Sequence, residues 1–350
     1  MTSPSAIRET WTKRLFGTPA TALTTLVIAA LIGAALVPIV RWAILDATWN
    51  GTSREACTSG GACWVFVRAR FGQFMYGFYP AAERWRVDLL ALLYVAVGIA
   101  MTVLPTRWRL RIALAALLVL PPLGLWLMAG GYGLVPVETR NWGGLSLTLF
   151  LSIYAALIAV PLAIVLALGR QSELPMIQTI SVAFIEFWRA VPIITVIFLA
   201  SILLPLILPS GVTIDRLARA IVGLGLVVAA YMAEAIRGGL QALPKGQGEA
   251  AAALGLGYWR TTAFITLPQA LRISLPALTN EFIALFKNTT LVLVVSILDL
   301  LGIAQASLAD PAWVGMNMEA YVFAGAIYWL ICFALSRLSL ALERGGPAQR

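Results

Sequence analysis

The chain has 350 residues, 60% of them hydrophobic and only 12% charged, with a mean hydropathy of +0.88. Soluble domains average about 45–50% apolar and about 25% charged residues, so an ordinary soluble domain is excluded. The net charge of +9 does not point to nucleic acid, because the basic residues stand at the edges of apolar runs and form no polar face.

Apolar runs of roughly 20 residues read as membrane spans. Eight are predicted, near 20–40, 88–104, 112–128, 145–168, 190–208, 218–236, 277–299 and 320–341. The first is long for the apolar region of a cleaved signal, and no small-x-small site follows it. Arg8, Lys13 and Arg14 precede it and place the N-terminus in the cytoplasm. Eight alternating spans put four further groups on that side: Arg107, Arg109 and Arg111; Arg170 and Arg189; Arg237, Lys245, Arg260 and Arg272; and, in a cytoplasmic C-terminal tail, Arg337, Arg344 and Arg350. Arg140, Arg216 and Arg219 are lesser exceptions.

The main exception is the outer segment 41–87, with six Arg against Asp46, Glu55 and Glu83. A loop that long crosses despite its charge. Its half from Trp64 to Trp85 predicts a short amphipathic helix along the outer interface. Cys57 and Cys63 lie in the same loop, either as a disulfide permitted by a periplasmic compartment or as two free thiols. Cys332 is expected to pack in the last span. None of the three has metal-ligand neighbours and the chain has no His, so no metal site is expected.

The chain divides near residue 140 into a three-span extension (1–140) and a five-span part (141–350), with no internal repeat. The segment 237–276 interrupts the spans. Pro244 suits the first turn of a helix, and Gln247–Leu254 follows as an Ala-rich helix. Gly255 and Gly257 permit a turn, and a second helix over Tyr258–Thr266 is limited by Pro268. The product is a helical hairpin outside the membrane with an alanine face. It either receives another protein or packs on its own spans.

The residues of this hairpin carry a fixed spacing. Glu249-Ala250-Ala251 is followed by Gly255 and then by Ile265-x-Leu267-Pro268. This pattern resembles the cytoplasmic coupling loop of permease subunits in ATP-binding-cassette (ABC) importers. Gly144-x-x-x-Thr148-Leu149, Phe184-Ile185-Glu186-x-x-Arg189-x-x-Pro192, Ala233-Glu234-x-x-Arg237-Gly238-Gly239 and Lys287-Asn288-Thr289-Thr290-Leu291 are similar to segments of polar and general L-amino-acid permeases. The likeness covers about 141–342.

The resemblance implies an all-α polytopic membrane protein with a type I importer core of five helices and a coupling helix. It implies a bacterial inner-membrane location, a cytosolic ABC ATPase dimer as partner, and a periplasmic amino-acid-binding protein. A second, related permease subunit is implied too, as a heterodimer or a homodimer. No phosphate-binding G-x-x-x-x-G-K-[ST] motif occurs, so this chain is expected to bind no cofactor, to be no enzyme, and to leave ATP and Mg to the ATPase. The rival readings are a permease for another small solute and a stand-alone secondary transporter. The absence of His and the scarcity of acids inside the spans disfavour the latter.

Within the spans, Lys287 is placed about ten residues into the seventh, where a charge normally faces a cavity or a partner. Lys287, Asn288, Thr289 and Thr290 supply donors for an α-carboxylate; alternatively Lys287 pairs with Glu281 or Glu234. Asn280, Glu281 and Asp299 are candidate gate or vestibule residues. Glu186 with Arg189, and Glu234 with Arg237, are i, i+3 neighbours expected to pair structurally. Gln305–Met318 reads as an outer loop.

Overall fold

The computed structural model describes residues 14–209 and 211–344. Arg8, Lys13 and Arg350, used above for orientation, lie outside them. Among the described residues the secondary structure is helical, with isolated β-bridges and no strand. Seven helices are long and apolar enough to cross a membrane, and a bent helix pair makes up to eight.

The helices follow in chain order. α1 (Pro19–Val40) opens with Pro19 at its first position and the Thr18 hydroxyl accepting from Thr21 N–H. α2 is Trp64–Tyr76, α3 Arg84–Val103 and α4 Thr106–Ala129. α5 is Gly144–Arg170 and α6 Pro175–Ala190. α7 (Ile193–Phe198) continues through a π turn to Ile207. α8 is Arg216–Gln241, α9 Gly246–Ala253, α10 Tyr258–Thr261 and α11 Leu267–Asn288. α12 (Leu300–Ser307) and α13 (Asn317–Arg344) complete the chain.

Several expected boundaries move. The fifth span, expected at 190–208, is the stretch Ile193–Ile207 with a π turn at Leu199–Leu203, and α6 ahead of it meets it at 99°. Pro192 follows Val191, and the residue before a proline is pushed to extended backbone, here ψ 129°. The seventh span begins earlier, because α10, a π turn at Thr262–Thr266 and α11 join into one stretch, Tyr258–Val295. Pro268 therefore does not stop the helix; it sits in the first turn of α11. The wider π turn ahead of it releases the backbone bond that a proline cannot donate. Gln305–Met318 is not a plain loop, since α12 reaches Ser307 and a 3-10 turn covers Pro311–Trp313.

Two compact units form, Met1–Arg70 with Asp310–Glu319, and Phe71–Ala309 with Ala320–Arg350. These units are drawn by packing and cut across the expected parts 1–140 and 141–350. Tyr79, Leu90, Leu127 and Met128 of the expected extension share one apolar core with Phe150, Tyr154 and Leu224, so the second and third spans belong to the larger unit. Within that unit α8 packs mainly on α5 and α11 and is buried along most of its length.

The smaller unit is stapled. Cys57 and Cys63 form a disulfide, the Cys63 N–H donates to Glu319 Oε1 at 2.9 Å, and Arg70 pairs with Asp310. The Trp64 ring meets Trp42 and Trp49, and Phe66 lies 5.7 Å from Trp313. α2 is two-faced: Val65, Phe66 and Val67 are buried while Arg68, Ala69 and Phe71 are exposed.

Candidate functional site

The hairpin with the Glu-Ala-Ala spacing lies between α8 and the long seventh span. α8 runs to Gln241, so Arg237 is still helical, and Pro276 falls inside α11; the connecting segment is narrower than 237–276. α9 carries Glu249 in its first turn, where a carboxylate complements the helix dipole. Its C-terminus closes on Gly255: Leu256 N–H donates to Ala251 O (3.0 Å) and Gly255 N–H to Ala252 O (2.9 Å). Gly255 holds φ +74°, the left-handed conformation that glycine adopts without cost. Gly257, at φ −70°, is ordinary extended backbone.

Ala251 is buried and Ile265 and Leu267 are half-buried, whereas Glu249, Ala250 and Pro268 are exposed. The Gln269 amide ties Ile265 O (2.8 Å) to Gln247 Oε1 (3.4 Å) and so fixes α9 to the base of α11. The outer surface of this hairpin is apolar: Leu254 and Phe264 are 80% exposed and Trp259 74%. Leu254 lies ahead of the Tyr258–Val295 stretch and Trp259 and Phe264 at its start; bared together at the hairpin, they form an apolar contact surface.

Beside the hairpin, four charged side chains join three helices. Arg170 Nη1, at the end of α5, lies 2.9 Å from Glu186 Oε1 on α6 and 2.9 Å from Glu234 Oε1 on α8. Glu234 Oε2 accepts from Arg237 Nε (3.0 Å) and Nη2 (2.9 Å). The Glu234–Arg237 pair thus forms as spaced. The Glu186–Arg189 pair does not: Arg170 takes Glu186, and the Arg189 guanidinium stacks 5.5 Å from the Tyr231 ring. Arg170, in sequence only an orientation charge, is the centre of this cluster. Its partners are 16 and 64 residues away, so no local spacing marks it.

The Lys287 segment differs from expectation. α11 ends at Asn288, so Lys287 occupies its last turn, where a cation complements the C-terminal carbonyls. A 3-10 stretch, Thr289–Val295, follows. Lys287 is exposed, and among the described residues it pairs with neither Glu281 nor Glu234. Asn288 and Thr290 are half-buried, and Thr289 is buried with its hydroxyl donating to Phe286 O (2.9 Å). Asn280 is exposed and Glu281 half-buried, two turns earlier on α11.

Residues 159–345 match the family described as "Binding-protein-dependent transport system inner membrane component". The chain belongs to this family. It is 50% identical to the inner membrane amino-acid ABC transporter permease protein YhdY of Escherichia coli (strain K12), covering 95% of this chain and 91% of that protein. Identity is 36% to the glutamate/glutamine/aspartate/asparagine transport system permease protein BztC of Rhodobacter capsulatus, over 86% of this chain and 85% of that one. A solved structure, "Crystal structure of an amino acid ABC transporter with histidines", matches with a TM-score of 0.51 and 32% identity, covering 57% of this chain and 91% of that chain. The protein is a multi-pass inner-membrane ABC permease subunit.

In this permease Asp299 is not part of the seventh span. It is fully buried and caps α12, with Oδ1 accepting from Gly302 N–H (2.9 Å) and Oδ2 from the Tyr328 hydroxyl (2.7 Å). Thr148 Oγ1 accepts from Leu300 N–H (3.0 Å) beside it. Burial pushes the Asp299 carboxyl above its ordinary range, while the Gly302 and Tyr328 hydrogen bonds pull it partly back. Its contribution to stability is therefore greatest below the ordinary carboxylate range and declines as pH rises through the raised folded value. Asp299→Ala removes a cap and the acceptor of the Tyr328 hydroxyl, an expected loss of about 2–4 kcal/mol in detergent unfolding. Asp299→Asn should cost much less and flatten the pH slope; equal losses in both variants would contradict this account.

Proposed function

We propose that this permease moves polar or general L-amino acids, of the Glu/Gln/Asp/Asn type, into the bacterial cytoplasm by alternating access driven by a partner's ATP. The observation that carries the reading is the hairpin Gly246–Thr266, capped at Gly255 and bearing bared apolar side chains at the head of the seventh span. The amino-acid transporters named for YhdY and BztC support the substrate class.

In this scheme a periplasmic binding protein delivers the amino acid at the outer mouth. Two cytosolic ATPase subunits close on ATP and Mg and draw together the hairpins of two permease subunits, a heterodimer being favoured and a homodimer the alternative. Glu249, Ala250 and the apolar rim meet the ATPase, while Ala251, Ile265 and Leu267 tie the hairpin to its own spans. The spans rock outward, and hydrolysis resets them. Arg170, Glu186, Glu234 and Arg237 brace the helix ends next to the moving hairpin. Both termini lie in the cytoplasm. The chain supplies no nucleotide site and no covalent chemistry.

The test is uptake of a labelled L-amino-acid panel by cells with and without this chain, under an uncoupler and under ATP depletion. Loss of acidic, amide or broad uptake that tracks ATP is expected; dependence on the proton gradient, or no change across the panel, would overturn the reading. Lys287, exposed at the end of α11, is assigned to the substrate pathway with Asn288 and Thr290. Lys287→Ala is expected to raise KM or change substrate preference by about tenfold, the scale of one hydrogen bond to a charged group. Unchanged kinetics would return Lys287 to the helix terminus alone.

A further inference from the structure

The family match begins at residue 159, leaving α3 and α4 outside it. These two helices and α5 enclose two apolar cavities of about 290 and 220 Å³ that share Tyr94 and Ile153. Along α3 the cavities reach from Val87 to Met101. At 1.5 Å per residue that is about 21 Å, more than the roughly 15 Å of one hydrocarbon leaflet. On α4 the crevice is walled by Ala113, Ala116 and Leu117.

Its Met101–Ala113 end is the end at which the first turns of α4 carry Arg107, Trp108, Arg109 and Arg111. Arg109 is occupied, with Nε donating to Leu104 O (2.7 Å) and Nη2 to Thr102 O (3.1 Å). Arg107 and Arg111 are exposed, and Arg111 stacks 5.2 Å from the Trp108 ring. Neither makes an ion pair among the described residues, and no acidic residue occurs between Asp88 and Glu138. An uncompensated pair of guanidiniums beside a Trp, at the same end of α4 as the Met101–Ala113 end of an apolar crevice, matches a phosphate joined to a hydrocarbon chain.

We propose that the crevice between α3, α4 and α5 seats an acyl chain of an anionic phospholipid, with its phosphate held by Arg107 and Arg111. Guanidinium forks suit phosphate oxygens, and Arg111 is steadied by its stacking on Trp108. The two extra helices then act as a lipid-anchored flank for the transport core.

The full chain, purified in detergent, would be titrated with dioleoylphosphatidylglycerol or dioleoylphosphatidylcholine and its retained lipids counted by native mass spectrometry. Preferential retention of the anionic lipid is expected. Each neutralised arginine should weaken it about fivefold, so R107Q/R111Q lowers the preference about 25-fold. Ala116→Trp, which fills the crevice, should displace the lipid with both arginines intact. Equal retention of the two lipids, or an unchanged preference in R107Q/R111Q, would overturn the proposal. So would a photocrosslinker placed at Leu117 that captures a protein chain in place of lipid.

Discussion

Uptake is expected to fall to background in a Gly255→Asp variant that still reaches the membrane in normal amount. The argument rests on two facts about one residue. Gly255 holds φ +74°, so a side chain there carries a left-handed strain of about 1–2 kcal/mol, which aspartate tolerates better than most. A Cβ built on Gly255 meets no atom within 4 Å, so nothing inside the molecule is displaced. The fold should therefore survive, and any large defect must arise where the hairpin meets another protein. A docking contact of hot-spot strength contributes about 2 kcal/mol or more, a loss of roughly 30-fold or greater. Immunoblots of the membrane fraction beside uptake assays separate the outcomes. Normal uptake would remove this hairpin from the coupling role, and loss of the protein itself would show that the turn serves folding.

Gly144→Ala is expected to have the larger effect on stability, for the opposite reason. Gly144 also holds a positive φ, +67°, but a Cβ there would lie 2.3 Å from Phe74 O and 3.0 Å from Gly77 N. Backbone atoms cannot move aside as a flexible side chain can. The same residue donates its N–H to Leu298 O (3.0 Å) and accepts the Thr148 hydroxyl (3.1 Å), so it pins the start of α5 to the segment before α12. Strain and overpacking together should cost about 2–5 kcal/mol. Gly131→Ala is the control: its φ is +87°, yet no atom lies within 4 Å of its Cβ, so strain alone remains. Equal melting temperatures for the two variants in detergent would show that crowding at Gly144 does not matter.

Much of the candidate site was legible because its signals are local. The Glu249–Gly255 spacing encodes a short helix and its left-handed stop within one turn, and the observed cap follows it closely. Glu234 and Arg237 meet because three residues bring side chains to one helix face. The same spacing failed for Glu186 and Arg189, where Arg170 arrives from α5 and Tyr231 offers its ring. Pro268 misled for a related reason: a proline stops a regular helix, but one π turn lets the chain continue. The span that holds Lys287 likewise begins well before the expected Ala277 and runs on to Val295.

The sequence by itself determined that the chain is a bundle of membrane spans with a capped hairpin outside them. Hydropathy, proline and glycine positions act over a few residues, and they act before any helix meets another. Tertiary structure alone decided what joins distant segments. It set the Arg170 bridge between α5, α6 and α8, the burial of Asp299 against Tyr328, and the placement of α3 and α4 in the same core as α5. Those contacts link residues 16 to 64 positions apart, and each depends on which faces of the helices pack together. Inside a membrane nearly every face is apolar, so periodicity, which tells a core face from a wet one in soluble proteins, carries little information there.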